Sequence, residues 1–207
     1  MIPVNILAVR YLANASPALA RSLGAPPGCP SLAMLTTDCD DATYIALDEA
    51  TKAADVQVCY ARSFYAGAPN ATTPNAGEVI GILAGPTPGA VRSGMDAALG
   101  ALSRLGFRDA GGVPCLAHTV SSAGTFLAKE AGVREGTALA YLIAPPLEGM
   151  YALDAAMKAA DVKLCKLYSP PSETNFGGGL LSGTQSACDA ACAAFTQAVA
   201  EVAANPK

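Results

Sequence analysis

Three aspartates, Asp38, Asp40 and Asp41, stand within four positions around Cys39. Such a local excess of negative charge suits a small cation or an amine. A purely structural reading has Asp40 capping a helix while its neighbours favour the helix dipole. That accounts for one or two of the three carboxylates.

Catalytic chemistry is harder to place. A hydrolytic triad needs a histidine beside a nucleophile and an acid, but the single histidine, His118, lies in the strand-like run Leu116-Ala117-His118-Thr119-Val120. A zinc site asks for several Cys and His at ligand spacing. Cys188 and Cys192 instead share a helical face with Phe195, Val199 and Val202 and read as core. Cys59 and Cys165 read as small apolar fillers on strands, and Cys39, among aspartates, is expected at the surface. Gly85-Pro86-Thr87-Pro88 opens a helix but lacks the Lys-Ser/Thr of a phosphate loop. Neither an enzyme nor a metal site is expected.

Composition bounds the rest. A chain of 207 residues, 52% hydrophobic and only 14% charged, is not disordered. A net charge of −4 without a Lys/Arg cluster speaks against nucleic acid. No apolar run reaches the roughly 18 residues of a membrane span. The N-terminus lacks the basic start and apolar core of a signal peptide. The seven cysteines, with no CxxC, then read as reduced cytoplasmic thiols. The apolar content exceeds what a small core needs, and an assembly that covers the outer surface would absorb it.

The elements that must position these residues occur twice. Ala46-Leu47-Asp48-Glu49-Ala50-Thr51-Lys52-Ala53-Ala54-Asp55-Val56-Gln57-Val58-Cys59 returns as Ala152-Leu153-Asp154-Ala155-Ala156-Met157-Lys158-Ala159-Ala160-Asp161-Val162-Lys163-Leu164-Cys165. Leu19-Ala20-Arg21 before Gly24 returns as Leu127-Ala128-Lys129 before Gly132, and Leu83-Ala84-Gly85 as Leu181-Ser182-Gly183. Periodicity predicts the same order in both halves: strands over 5–13 and 114–121, short helices over 16–23 and 124–131, and buried strands over 31–37 and 138–144. Helices over 41–54 and 147–160, strands over 56–63 and 162–168, strands over 78–84 and 179–183, and helices over 87–105 and 185–203 complete the units. The seam falls near Gly106–Val113, giving domains 1–108 and 109–207. The fold class is α/β in the broad sense, an α+β sandwich of small, mostly antiparallel sheets flanked by helices.

This order resembles the bacterial microcompartment shell proteins, in their tandem, circularly permuted branch of the EutL type from ethanolamine-utilisation compartments. The strings that carry the resemblance include Thr37-Asp38-Cys39-Asp40-Asp41, Ser63-Phe64-Tyr65-Ala66-Gly67-Ala68, Gly77-Glu78-Val79 and Ala144-Pro145-Pro146-Leu147-Glu148. The Pro170-Pro171-Ser172-Glu173-Thr174-Asn175-Phe176 loop and the Asp-rich loop point to the EutL branch in particular. The seam looks shorter than is usual in that family, and Ser122 stands where the family often has an arginine.

The resemblance implies two tandem circularly permuted BMC domains and a homotrimer closing into a pseudohexameric tile. Tiles make lateral contacts with other shell proteins in a hexagonal layer at the microcompartment shell. Lys52 and Lys158 match the family's tile-edge lysines. The resemblance also implies a gated central pore. Its candidate loops carry Tyr65, Ala66, Gly67, Asn70 and Asn75, and, in the second half, Glu173, Thr174, Asn175 and Phe176. Small acidic pores are implied at residues matching Asp41 and Glu78, with Asp40 as supporting charge and ethanolamine as the ligand. No resident cofactor is implied, only passage or weak binding of ethanolamine or a cobalamin-sized solute. The alternative reading is a trimeric small-ligand sensor with a duplicated α/β domain.

Overall fold

A computed structural model describes residues 1–65, 75–170 and 172–207. The chain forms two compact units. One comprises Pro3–Leu105 with Gly124–Phe126; the other comprises Met1–Ile2, Gly106–Ala123 and Leu127–Lys207.

The first unit runs β2 (Ile6–Leu12), α1 (Pro17–Ser22), β3 (Ser31–Thr37), α2 (Asp40–Ala53), β4 (Gln57–Ser63), β5 (Val79–Gly85) and α3 (Pro88–Leu102). Its four strands form an antiparallel sheet in the order β2-β3-β5-β4. The second unit repeats the plan with β7 (Pro114–Val120), α4 (Thr125–Ala131), β8 (Ala138–Ala144), α5 (Pro146–Ala159), β9 (Val162–Tyr168), β10 (Gly177–Gly183) and α6 (Gln185–Ala204). Its sheet has the order β1-β6-β7-β8-β10-β9, where β1 is Ile2–Pro3 and β6 is Gly106–Asp109.

The central strands explain the continuous apolar runs. Every residue of β8 is buried, and β3 has only Met34 and Thr36 partly open. A strand covered on both faces needs no polar alternation. Helices α3 and α6 lay apolar stripes on the sheets: Val91, Met95, Ala98 and Leu102 are buried on the first, and Cys188, Phe195 and Val199 on the second, with Cys192 and Val202 partly buried. Both helices start at a threonine whose hydroxyl accepts an amide in the first turn, Thr87 from Ala90 at 3.1 Å and Thr184 from Ala187 at 3.2 Å. No helix among the described residues is long and apolar enough to cross a membrane.

Three expectations change. The seam is not a plain linker: β6 pairs with β7 through Arg108 opposite Cys115, and Ala110 donates to the Val113 carbonyl at 2.8 Å to close the hairpin. Phe107 is held there edge-on to Phe176, with ring centres 5.3 Å apart. Asp40 is the first helical residue of α2 and Cys39 its N-cap, so Asp40 does not cap. Cys39 itself is buried, because the turn between Thr37 and Thr43 folds over it.

The repeated cysteines occupy a shared irregularity. Along β4 the pairing with β5 jumps from Val58 to Tyr60 and skips Cys59. Along β9 it jumps from Leu164 to Lys166 and skips Cys165. An extra residue at that place bends and twists the edge strand in both units.

Candidate acidic site

One end of the four-stranded sheet gathers the acidic residues. Thr37 ends β3, Ser63 ends β4 and Val79 begins β5, and these three residues lie opposite one another in register. The Glu78 amide donates to the Thr37 carbonyl at 2.8 Å, and the Phe64 amide donates to the Glu78 carbonyl at 2.9 Å. Asp38–Asp41 therefore leave the sheet beside Glu78, although Asp41 and Glu78 stand 37 positions apart in the chain.

Each carboxylate is held differently. Asp38 is exposed and clamped by Asn5, whose backbone amide donates to Oδ1 at 2.8 Å and whose side-chain amide donates to Oδ2 at 2.6 Å. Asp40 and Asp41 are buried in the first turn of α2, where the helix dipole favours negative charge. The Asp41 amide donates to Asp40 Oδ1 at 2.9 Å. Burial raises the Asp40 carboxyl above its ordinary range, against the pull of hydrogen bonds led by the Ser63 hydroxyl. Ser63 Oγ lies 2.5 Å from the Tyr44 hydroxyl. Glu78, half-buried, is pushed up to about 7, first by desolvation and then by repulsion from Asp40 and Asp38.

The result is a cluster in which burial and the neighbouring Asp40 and Asp38 disfavour an ionised Glu78. A cation placed among them would relieve that repulsion, and Ser63 and Tyr44 add hydroxyls beside it. The thiol at its base stays protonated: burial, followed by repulsion from Asp41, Asp40 and Glu78, raises Cys39 far above the usual thiol range.

The second unit has no counterpart. By the repeat, Asp40 maps to Pro146, Asp41 to Leu147 and Glu78 to Phe176. Leu147 is exposed, and Phe176 packs on Phe107.

The other sequence candidates are dispersed. Tyr65 is exposed on the first unit, and Asn75 is exposed in a turn before β5. Ala66, Gly67 and Asn70 lie outside the described residues. On the second unit, Ser172–Asn175 form a turn in which Asn175 takes φ 63° and donates to the Ser172 carbonyl at 3.2 Å. The Phe176 amide donates to Ser172 Oγ at 3.0 Å, while Glu173 is exposed and Thr174 partly so. Lys52 and Lys158 differ in setting. Lys52 is paired with Glu49 and lies 3.8 Å from Asp48, whereas Lys158 is exposed and bonded to Asp154 at 2.6 Å. Alanine at 155, where the first half has Glu49, accounts for the difference.

One residue escaped the sequence reading. Asp48, wholly buried on α2, accepts the Gly124 amide at 2.7 Å, and Thr51 beside it accepts the Thr125 amide at 3.2 Å. A Cβ at Gly124 would run into Thr51 Oγ1 and the Asp48 carbonyl, so the close approach requires glycine. The only signal was the return of Asp48 as Asp154.

The comparisons with known proteins agree with one another. The BMC domain family matches residues 31–111. The bacterial microcompartment shell protein EutL of Clostridium perfringens (strain 13 / Type A) is 58% identical over 210 aligned positions, covering 100% of this chain and 97% of that one. Its namesake from Escherichia coli (strain K12) is 48% identical, covering 100% of this chain and 96% of that one. The crystal structure of the ethanolamine utilization protein EutL from Leptotrichia buccalis C-1013-b superposes with a TM-score of 0.95 at 57% identity, covering 99% of this chain and 96% of that one.

Proposed function

The chain belongs to the EutL family of bacterial microcompartment shell proteins, and from that premise we propose that it closes with two further copies into a tile whose acidic sites admit a small amine, ethanolamine foremost. Its role is structural, in the shell of a compartment for ethanolamine utilisation, and it is not an enzyme. Relatives named as shell proteins leave the stand-alone sensor without support.

The observation that carries the amine proposal is the convergence of Asp40, Asp41 and Glu78 at one end of the first sheet, with Glu78 raised to about 7 by burial and then by repulsion from Asp40 and Asp38. An ammonium offsets that repulsion without a resident metal or cofactor. The proposed ring is favoured physically because closure buries edge surface that a single chain exposes. Tyr65 and Asn75 in the first half and Glu173–Phe176 in the second are the proposed lining of a gated central pore, wide enough for a cobalamin-sized solute.

Two measurements test the proposal. Electron microscopy of concentrated protein is expected to show hexagonal layers, and discrete particles at every concentration would count against the tile. Calorimetry is expected to show ethanolamine binding that is lost in Asp41→Ala. Unchanged binding in that variant removes the site assignment.

A further inference from the structure

A chain of hydroxyls leads into the acidic site. Tyr44 follows Asp40 by four positions on α2, so the two side chains rise from the same face of the helix. Ser63, at the end of β4, joins them. Its hydroxyl bonds to the Asp40 carboxyl, and its Oγ lies 2.5 Å from the Tyr44 hydroxyl.

Both ends of this chain are held. At the outer end the Tyr44 ring lies 5.9 Å from that of Phe126. The segment carrying Phe126 is itself pinned to α2, through the Gly124 amide on Asp48 at 2.7 Å and the Thr125 amide on Thr51 at 3.2 Å. At the inner end the Asp41 amide fixes Asp40 Oδ1 at 2.9 Å. The direction of the bonds follows from the carboxylate. An ionised Asp40 only accepts, so Ser63 donates to it, and Tyr44 then donates to Ser63. A serine hydroxyl turns to suit its surroundings, whereas a phenol on a packed ring sets one direction for it. Bonds in series away from water also strengthen one another.

The repeat supplies an internal comparison. By its register Tyr44 maps to Met150, Ser63 to Ser169 and Asp40 to Pro146. Met150 fills the corresponding place beside Gly177, where a Cβ would stand 3.3 Å from the Met150 methyl. The fold therefore asks only for a large side chain at this position of the helix. The phenol occurs in the repeat that has the carboxylate and is missing from the repeat that lacks it.

We infer that Tyr44 is a positioning residue of the amine site, orienting Ser63 so that Asp40 presents a fixed carboxylate to the ammonium. It acts through Ser63 and Asp40 and not by touching the amine. Burial disfavours a charged Asp40, and the Ser63 bond is the first of the interactions that oppose this. The inference rests on the amine reading proposed above and adds to it a dependence on the phenol.

Calorimetry with ethanolamine on a set of variants tests it. Tyr44→Phe keeps the ring against Phe126, removes the donor, and is expected to weaken binding about fivefold. Tyr44→Met, which borrows the residue of the second repeat, is expected to do the same. Ser63→Ala is expected to weaken binding at least as much, and Tyr44→Phe to cost nothing further in that background. Restoring the hydroxyl as Ser63→Thr is expected to recover most of the lost binding together with its dependence on Tyr44. Circular dichroism and thermal melts establish that the variants remain folded. Wild-type affinity in Tyr44→Phe or Tyr44→Met overturns the inference. So does a loss that persists undiminished in the Ser63→Ala background, which would make Tyr44 a direct contact. A wild-type protein that binds no ethanolamine instead overturns the amine site on which the inference rests.

Discussion

Asp48 accepts the backbone amide of Gly124 at 2.7 Å across 76 positions of sequence, from a carboxylate with no solvent exposure. A buried charge is tolerated only when partnered, and here the amide and the nearby Lys52 ammonium supply the partners. Asp48→Ala leaves that amide without its acceptor and is expected to cost about 3 kcal/mol. Gly124→Ala forces the same contact apart and is expected to cost on the order of 2 kcal/mol. Urea unfolding of both variants checks the values, and a loss below about 0.5 kcal/mol in either would show the contact to be incidental.

Glu78 makes stability depend on pH in a defined direction. Its folded value is raised, so its stabilising contribution is complete below its ordinary value near 4.5 and is lost as pH rises through about 7. Glu78→Gln is therefore expected to melt higher than wild type at pH 8 and equally near pH 4. Because Glu78 is half-exposed, solvent screening holds the gain to about 1 kcal/mol. A gain that grows toward low pH would contradict the placement of Glu78 among Asp38 and Asp40.

Ethanolamine binding should carry the opposite imprint of the same group. Ionised Glu78 attracts an ammonium and protonated Glu78 does not, so affinity is expected to rise severalfold between pH 6 and 8. The slope should vanish in Glu78→Gln. Calorimetry across that range measures both, and a flat wild-type profile would remove Glu78 from the site.

The two repeat lysines are expected to behave unequally. Lys52 is engaged by Glu49 and Asp48, whereas Lys158 is exposed and its ammonium value is raised by the Asp154 bond. Lys158→Ala should leave the melting temperature unchanged, since solvent screens a fully exposed pair, and should reduce layer formation in electron micrographs. Lys52→Ala should lower the melting temperature.

Three of the thiols should be quiet toward thiol reagents at neutral pH. Burial pushes Cys59 and Cys192 up to about 11 and Cys39 further still. The thiolate is the reactive form. Native protein is expected to leave these three unlabelled over a period in which urea-unfolded protein reacts fully.

The repeat and the apolar runs made the fold legible. Strings as close as Ala46–Cys59 and Ala152–Cys165 fix the same helix and edge strand twice, and the apolar runs at 32–35 and 138–144 mark buried strands. The strand at Gly106–Asp109 was not legible, since four residues carry no period and its pairing depends on Phe107 meeting Phe176. The convergence of Asp40, Asp41 and Glu78 needed the register of three strands, which no local pattern encodes. Asp48 was hidden for another reason. Its partner is a backbone amide, and a backbone group leaves no letter in the sequence.

The acidic cluster occurs in one unit, while Pro146, Leu147 and Phe176 stand at its positions in the other. In a ring of identical single-domain subunits, any substitution is copied at every position, so charge introduced beside a pore surrounds the axis completely. Fusing two domains halves that multiplicity. Acidic and neutral sectors can alternate, and one repeat is free to collect negative charge while the other keeps the apolar surface. In the proposed ring, duplication would separate two tasks that strict symmetry forces onto the same residues.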